Sequence, residues 1–182
     1  MKSLLNRSIF RASLFACAAL FTFALSAGRA HAQATSTTES LTATLTSLSQ
    51  VPAVLATGSG TFQAQVTMDG NLQFTLSYSN MSSSVVQAHI HFGASKTNGG
   101  VMVFLCGGPK AACPASGTIT GSLTAADVSV LPATNGDSVI PQGIQPGDLG
   151  ALLTAIRSGN AYVNVHTANF PNGEIRGQVH LR

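Results

Sequence analysis

Thr61-Phe62-Gln63-Ala64-Gln65-Val66-Thr67-Met68, followed by Asp69-Gly70 and Asn71-Leu72-Gln73-Phe74-Thr75-Leu76-Ser77-Tyr78, reads as two strands joined by a turn. Phe62, Ala64, Val66 and Met68 alternate with Gln63, Gln65 and Thr67, and Leu72, Phe74, Leu76 and Tyr78 repeat the period on the return. Side chains two residues apart share one face of a strand, so each run presents an apolar face and a polar one. Asp69-Gly70 supplies the residues that a tight hairpin turn requires. The pattern is that of an antiparallel sheet with one buried face.

The same alternation extends outward in both directions. Upstream, Leu41, Ala43, Leu45 and Ser47 face one way and Thr42, Thr44 and Thr46 the other, until Pro52 ends the run. Downstream come strands over Val85 to Phe92 and Val101 to Leu105, the second apolar throughout and therefore expected to be central. Ser116 to Leu123 is a further strand, Thr124 to Val128 a helical turn, and the Pro- and Gly-rich stretch from Leu131 to Gly147 a long connection. Leu149, Leu152, Leu153 and Ile156 form one stripe of a helix that Asp148 caps and Gly159 stops. Asn160 to Thr167 and Glu174 to Leu181 close the chain as strands. This composition predicts an all-β two-sheet sandwich or flattened Greek-key barrel, with one short helix inserted before the last two strands.

The first thirty-two residues have the features of an export signal: Lys2, Arg7 and Arg11 precede an apolar run from Ser13 to Ala27, and Ala30-His31-Ala32 suits a signal peptidase. Cleavage after Ala32 would leave a polar linker over 33–40 and a domain over 41–182 in a secreted or periplasmic protein, with no membrane span in the mature chain. Four of the nine basic residues would leave with the signal, so the mature chain carries five basic residues against six acidic ones, a net charge of −1. That balance excludes a nucleic-acid footprint. Cys106 and Cys113 would then be the only cysteines, natural disulfide partners in an oxidising compartment. Closing so short a loop contributes on the order of 2.5 kcal/mol.

Ala88-His89-Ile90-His91-Phe92-Gly93 sets two imidazoles on one face of a strand, and alternation puts His166 opposite the apolar face of its own strand. Neutral ring nitrogens can hold a transition metal, so His89, His91 and His166 are candidate ligands, with His180, Glu174, Met102 or water as a fourth. Copper is favoured over zinc because no acidic or thiolate ligand accompanies the rings. The competing structural interpretation makes the histidines cross-strand polar pairs, hydrogen-bonded to Asn164, Gln178 or Glu174. Glu174 and Arg176, at strand spacing, are candidates for a structural ion pair. No Walker loop, dinucleotide-binding glycine pattern, Gly-x-Ser-x-Gly or close carboxylate pair occurs, which leaves no catalytic residue to assign.

Val51-Pro52-Ala53-Val54 with Gly58 to Phe62, the His89-Ile90-His91 segment, Val101 to Leu105, Leu123 with Asp127-Val128, Ala161 to Thr167 and Phe170 to Gln178 together resemble the CHRD module. That module is repeated in the secreted antagonist chordin and occurs singly in exported bacterial proteins. Gln50 departs from the pattern, since many members place an acidic residue there. The resemblance implies an immunoglobulin-like or superoxide dismutase-like sandwich that acts as a binding or structural module without catalytic turnover, its partner an extracellular or periplasmic protein or an ion. His89-Ile90-His91-Phe92-Gly93 also looks like the copper-binding segment of copper-zinc superoxide dismutases, which implies the alternative of a copper protein with redox or superoxide-handling activity.

Overall fold

A computed structural model describes residues 39–115 and 117–182; the expected signal peptide over 1–32 and residues 33–38 of the expected linker lie outside them. The strands are β1 (Ser40–Thr46), β2 (Ser59–Val66), β3 (Leu72–Ser79), β4 (Val85–Phe92), β5 (Val101–Cys106), β6 (Gly117–Leu123), β7 (Ala161–Thr167), β8 (Ile175–Gln178) and β9 (His180–Leu181), with the helix α1 (Leu149–Arg157) between β6 and β7. Hydrogen bonding orders them β5-β4-β7-β8-β1-β2-β3-β6, and β9 adds to β1. All the strand pairings are antiparallel, and the ends of the path, β5 and β6, approach each other, so the sheet curls into a nearly closed barrel. No helix among the described residues is long and apolar enough to cross a membrane.

The hairpin that decided the fold is present, with a correction at its tip. Val66 pairs with Leu72, Thr67 N–H donates to Asn71 O (2.9 Å) and Gly70 N–H to Thr67 O (2.9 Å). The connection is therefore a three-residue loop, and only Gly70 (φ 82°) takes the left-handed conformation. Met68 consequently sits at the loop tip, 85 % exposed, instead of continuing the apolar face. Phe62, Leu72, Leu76, Leu45, Ile90 and Ile175 fill the interior, where α1 adds Leu152, Leu153 and Ile156. Each such side chain contributes about 1.5–3 kcal/mol by leaving water. Asp148 caps α1 as expected, accepting from Ala151 N–H at 2.8 Å, and Gly159 (φ 73°) ends it.

β5 is fully buried but not central. It forms one end of the sheet path, where the long connection after β6 covers its free edge: Val101 N–H donates to Asp137 O (2.7 Å) and Ser129 N–H to Met102 O (2.8 Å). A loop satisfies the exposed edge that a neighbouring strand would otherwise complete. Cys106, at the end of β5, is joined to Cys113 in a disulfide.

Candidate metal centre

The register of β4 against β7 places Ile90 opposite Val163 and Ala88 opposite Val165 on the inner face. On the outer face it sets His91 opposite Tyr162, His89 opposite Asn164 and Gln87 opposite His166. Beside them, β5 places Phe104 next to His89, with ring centroids 4.4 Å apart. An outer face would ordinarily meet water, yet His89, His91 and His166 are only 3 %, 7 % and 7 % exposed. Segments 47–52, 93–100 and 168–173 roof it. Gln50 Nε2–H donates to Asn164 Oδ1 (2.7 Å), and Asn98 Nδ2–H donates to Val51 O (3.1 Å), which ties two of these segments together. Gly173 (φ 111°) lets the third come close, since a Cβ there would lie 2.3 Å from Asn164 Oδ1.

Under this roof the three histidines converge: one nitrogen from each ring lies within 4.8 Å of the others. His91 Nδ1–H donates to Gly99 O (2.9 Å) and His166 Nδ1–H to Pro171 O (2.8 Å). A carbonyl only accepts, so each of these neutral rings carries its proton on Nδ1 and leaves a bare lone pair on Nε2. Those two Nε2 atoms and both ring nitrogens of His89 are buried without a hydrogen-bond partner among the described residues. Each such buried polar atom ordinarily costs about 1–3 kcal/mol. A backbone carbonyl that fixes the tautomer and aims the opposite nitrogen is the usual outer support of a metal-binding histidine.

Burial also keeps these rings neutral. It depresses the pKa of His89 to about 2, with lesser repulsion from His91 and His166. For His91 burial outweighs the hydrogen bond to Gly99 and leaves the pKa at about 4. His166 is lowered by burial too, against the opposing hydrogen bond to Pro171 and the exposed Asp137 carboxylate.

The structural alternative required Asn164, Gln178 or Glu174 to bond the rings, and all three are engaged elsewhere. Asn164 Oδ1 accepts from Gln50, Gln178 Nε2–H donates to Gly93 O and Gly159 O, and Glu174 accepts from Ser82 and Thr167. Of the candidate fourth ligands, His180 is exposed opposite Thr42 on β9, Met102 belongs to the hydrophobic core, and Glu174 is committed. The structure does not bring Glu174 and Arg176 together as an ion pair. Glu174 precedes β8, so strand alternation does not govern it, and its carboxylate binds Ser82 N–H (2.8 Å), Ser82 Oγ–H (2.7 Å) and Thr167 Oγ1–H (2.7 Å). Arg176 instead donates to Thr97 O (2.7 Å), Ala94 O (3.2 Å) and Asn98 Oδ1 (3.2 Å), fastening the roof loop that presents Gly99 O to His91.

Arg176 also lies over Tyr162, its guanidinium carbon 3.4 Å from the ring centroid, and Tyr162 stacks on His91 with centroids 4.7 Å apart and planes 2° from parallel. Sequence reasoning missed this three-layer stack and the supporting roles of Gly99, Pro171 and Gln50. One signal was available: the outward positions of β7 read Tyr-Asn-His where those of β2 and β3 read Gln, Thr and Ser.

No curated protein and no solved structure matches the chain. The CHRD domain family matches residues 41–179, which takes in every strand from β1 to β8 except the first residue of β1, together with all three histidines and the whole roof. The chain belongs to the CHRD domain family.

Proposed function

We propose that this chain is an exported CHRD module that binds one transition-metal ion through His89, His91 and His166, without catalytic turnover. The observation that carries the proposal is the set of buried, unpartnered ring nitrogens clustered within 4.8 Å. Three neutral imidazoles suit zinc, copper, iron or nickel. A binding role is favoured over the redox alternative because the donor atoms are closed to solvent, and a substrate would have to reach them through the roof. Export rests on the basic-then-apolar N-terminus and on the Cys106–Cys113 disulfide, which an oxidising compartment maintains. Equilibrium dialysis of the purified protein against transition-metal salts, beside a His89/His91/His166 triple alanine variant with folding checked by circular dichroism, tests the proposal. One ion per chain in the wild type and none in the folded variant is expected; equal binding by both would refute it.

A further inference from the structure

We infer that the ion favoured by this site is monovalent copper held by three nitrogens, an inference that rests on the metal-binding proposal. The first ground is charge. All three donors are neutral, no carboxylate or thiolate among the described residues joins the cluster, and Cys106 is locked in its disulfide. Among the charged groups nearby, Arg176 stacks over Tyr162 and so presses positive charge toward His91. Asp137, the acidic residue with an influence on His166, is exposed to solvent. Glu174, though buried, has its carboxylate bound to Ser82 and Thr167.

A metal dication would therefore bring two charges, with no anionic ligand among the described residues to offset them, into a closed pocket beside a guanidinium. The cost of burying an ion rises with the square of its charge, so a monocation incurs about a quarter of the divalent penalty.

Coordination number is the second ground. Three ring nitrogens converge and the fourth-ligand candidates among the side chains are elsewhere. Zinc in a closed structural site takes four protein ligands, and divalent copper favours a tetragonal set of nitrogen and oxygen donors. Closed-shell monovalent copper imposes no such geometry and is satisfied by three donors. Phe104, its ring centroid 4.4 Å from that of His89 and its plane nearly perpendicular, adds an apolar neighbour and no donor atom.

Anaerobic competition of the purified protein for Cu(I) against bicinchoninate, and for Zn(II) and Cu(II) against chromogenic chelators, reads the preference directly. The expected result is a Cu(I) dissociation constant lower than that of Zn(II) by about a hundredfold or more, with X-ray absorption of the Cu(I) form showing three nitrogen neighbours and no sulfur. Arg176→Gln, which removes the charge, should narrow that ratio by about tenfold, while Arg176→Lys should preserve most of it. Zinc or divalent copper bound as tightly as Cu(I) through the same histidines would overturn the inference and leave the metal-binding proposal standing. Wild type that binds no metal ion would overturn both.

Discussion

Two antiparallel pairs in this barrel, β2 with β3 and β4 with β7, treat their outer faces in opposite ways. Gln63, Gln65 and Gln73 stand in water over an inner face of Phe62, Ala64 and Leu76. On β4 and β7 the inner face is equally apolar, but the outer one is a layer of His89, His91, Tyr162, Asn164 and His166 roofed by three loop segments. An ordinary half-buried strand pair needs no such cover. Enclosing polar rings and leaving four of their nitrogens unpartnered opposes folding, so stability does not account for the roof, whereas the proposed ion would.

Substitutions on the two pairs should separate these roles. The largest effect belongs to the common core: Phe62→Ala, which breaks the stack on Phe74 (centroids 6.2 Å apart), is expected to cost about 4 kcal/mol in urea unfolding, with or without metal. A loss that depends on metal would mean the two halves are not energetically separate.

Acid comes next, and between pH 7 and pH 4 it acts chiefly on the β4–β7 half, since Asp69 in the β2–β3 turn and Asp127 are held below the usual carboxylate value, Asp69 chiefly by its hydrogen bond from Thr67 and Asp127, against its burial, by Lys110 and Thr124. The folded-state pKa values of His89 (about 2) and His91 (about 4) lie below the unfolded value of 6.5, so the unfolded chain takes up protons that the folded one refuses. Metal-free protein should thus lose stability as pH falls below 6.5, by up to about 1.4 kcal/mol per pH unit for each ring, the loss ending once pH reaches the folded values. Urea titrations from pH 7 to pH 4 would measure the slope, and replacing the three histidines by leucine should flatten it. An unchanged slope in that variant would remove the rings from the account.

Arg176→Gln removes three bonds to the roof loop and the stack on Tyr162, with an expected loss of about 2 kcal/mol. Amide hydrogen exchange should show the loss concentrated in 93–100, and uniform loosening of the barrel would argue against Arg176 as the fastener. His89→Leu reverses the sign: in metal-free protein it should stabilise by about 1 kcal/mol, since an apolar side chain of similar volume replaces two unpartnered nitrogens. Destabilisation of the metal-free form would favour a structural histidine. Gln63→Thr, on the exposed face, should change stability by less than about 0.5 kcal/mol.

The legibility of these two regions differs for a physical reason. Period-two alternation reports which side chains share a face, and that suffices for the β2–β3 hairpin and for grouping His89, His91 and His166 on theirs. It says nothing about what covers a face. The roof arises from contacts distant in sequence, such as Arg176 to Thr97 and Gln50 to Asn164, and these decide which polar groups are left to bond the rings. Edge and centre are equally invisible locally: Val101 to Leu105 reads as a central strand because it is apolar throughout, although the cover that buries it is a loop. Glu174 and Arg176 share a strand spacing, but pairing fails because only Arg176 lies within the strand.

The most direct test of the central claim is long-range proton–nitrogen NMR of the imidazole rings in labelled protein, before and after one equivalent of metal. Metal-free His91 and His166 should be Nδ1–H tautomers with bare Nε2, and the metal should shift one nitrogen of all three rings together. Protonated Nε2 atoms in the metal-free protein, or three rings indifferent to metal, would contradict the account.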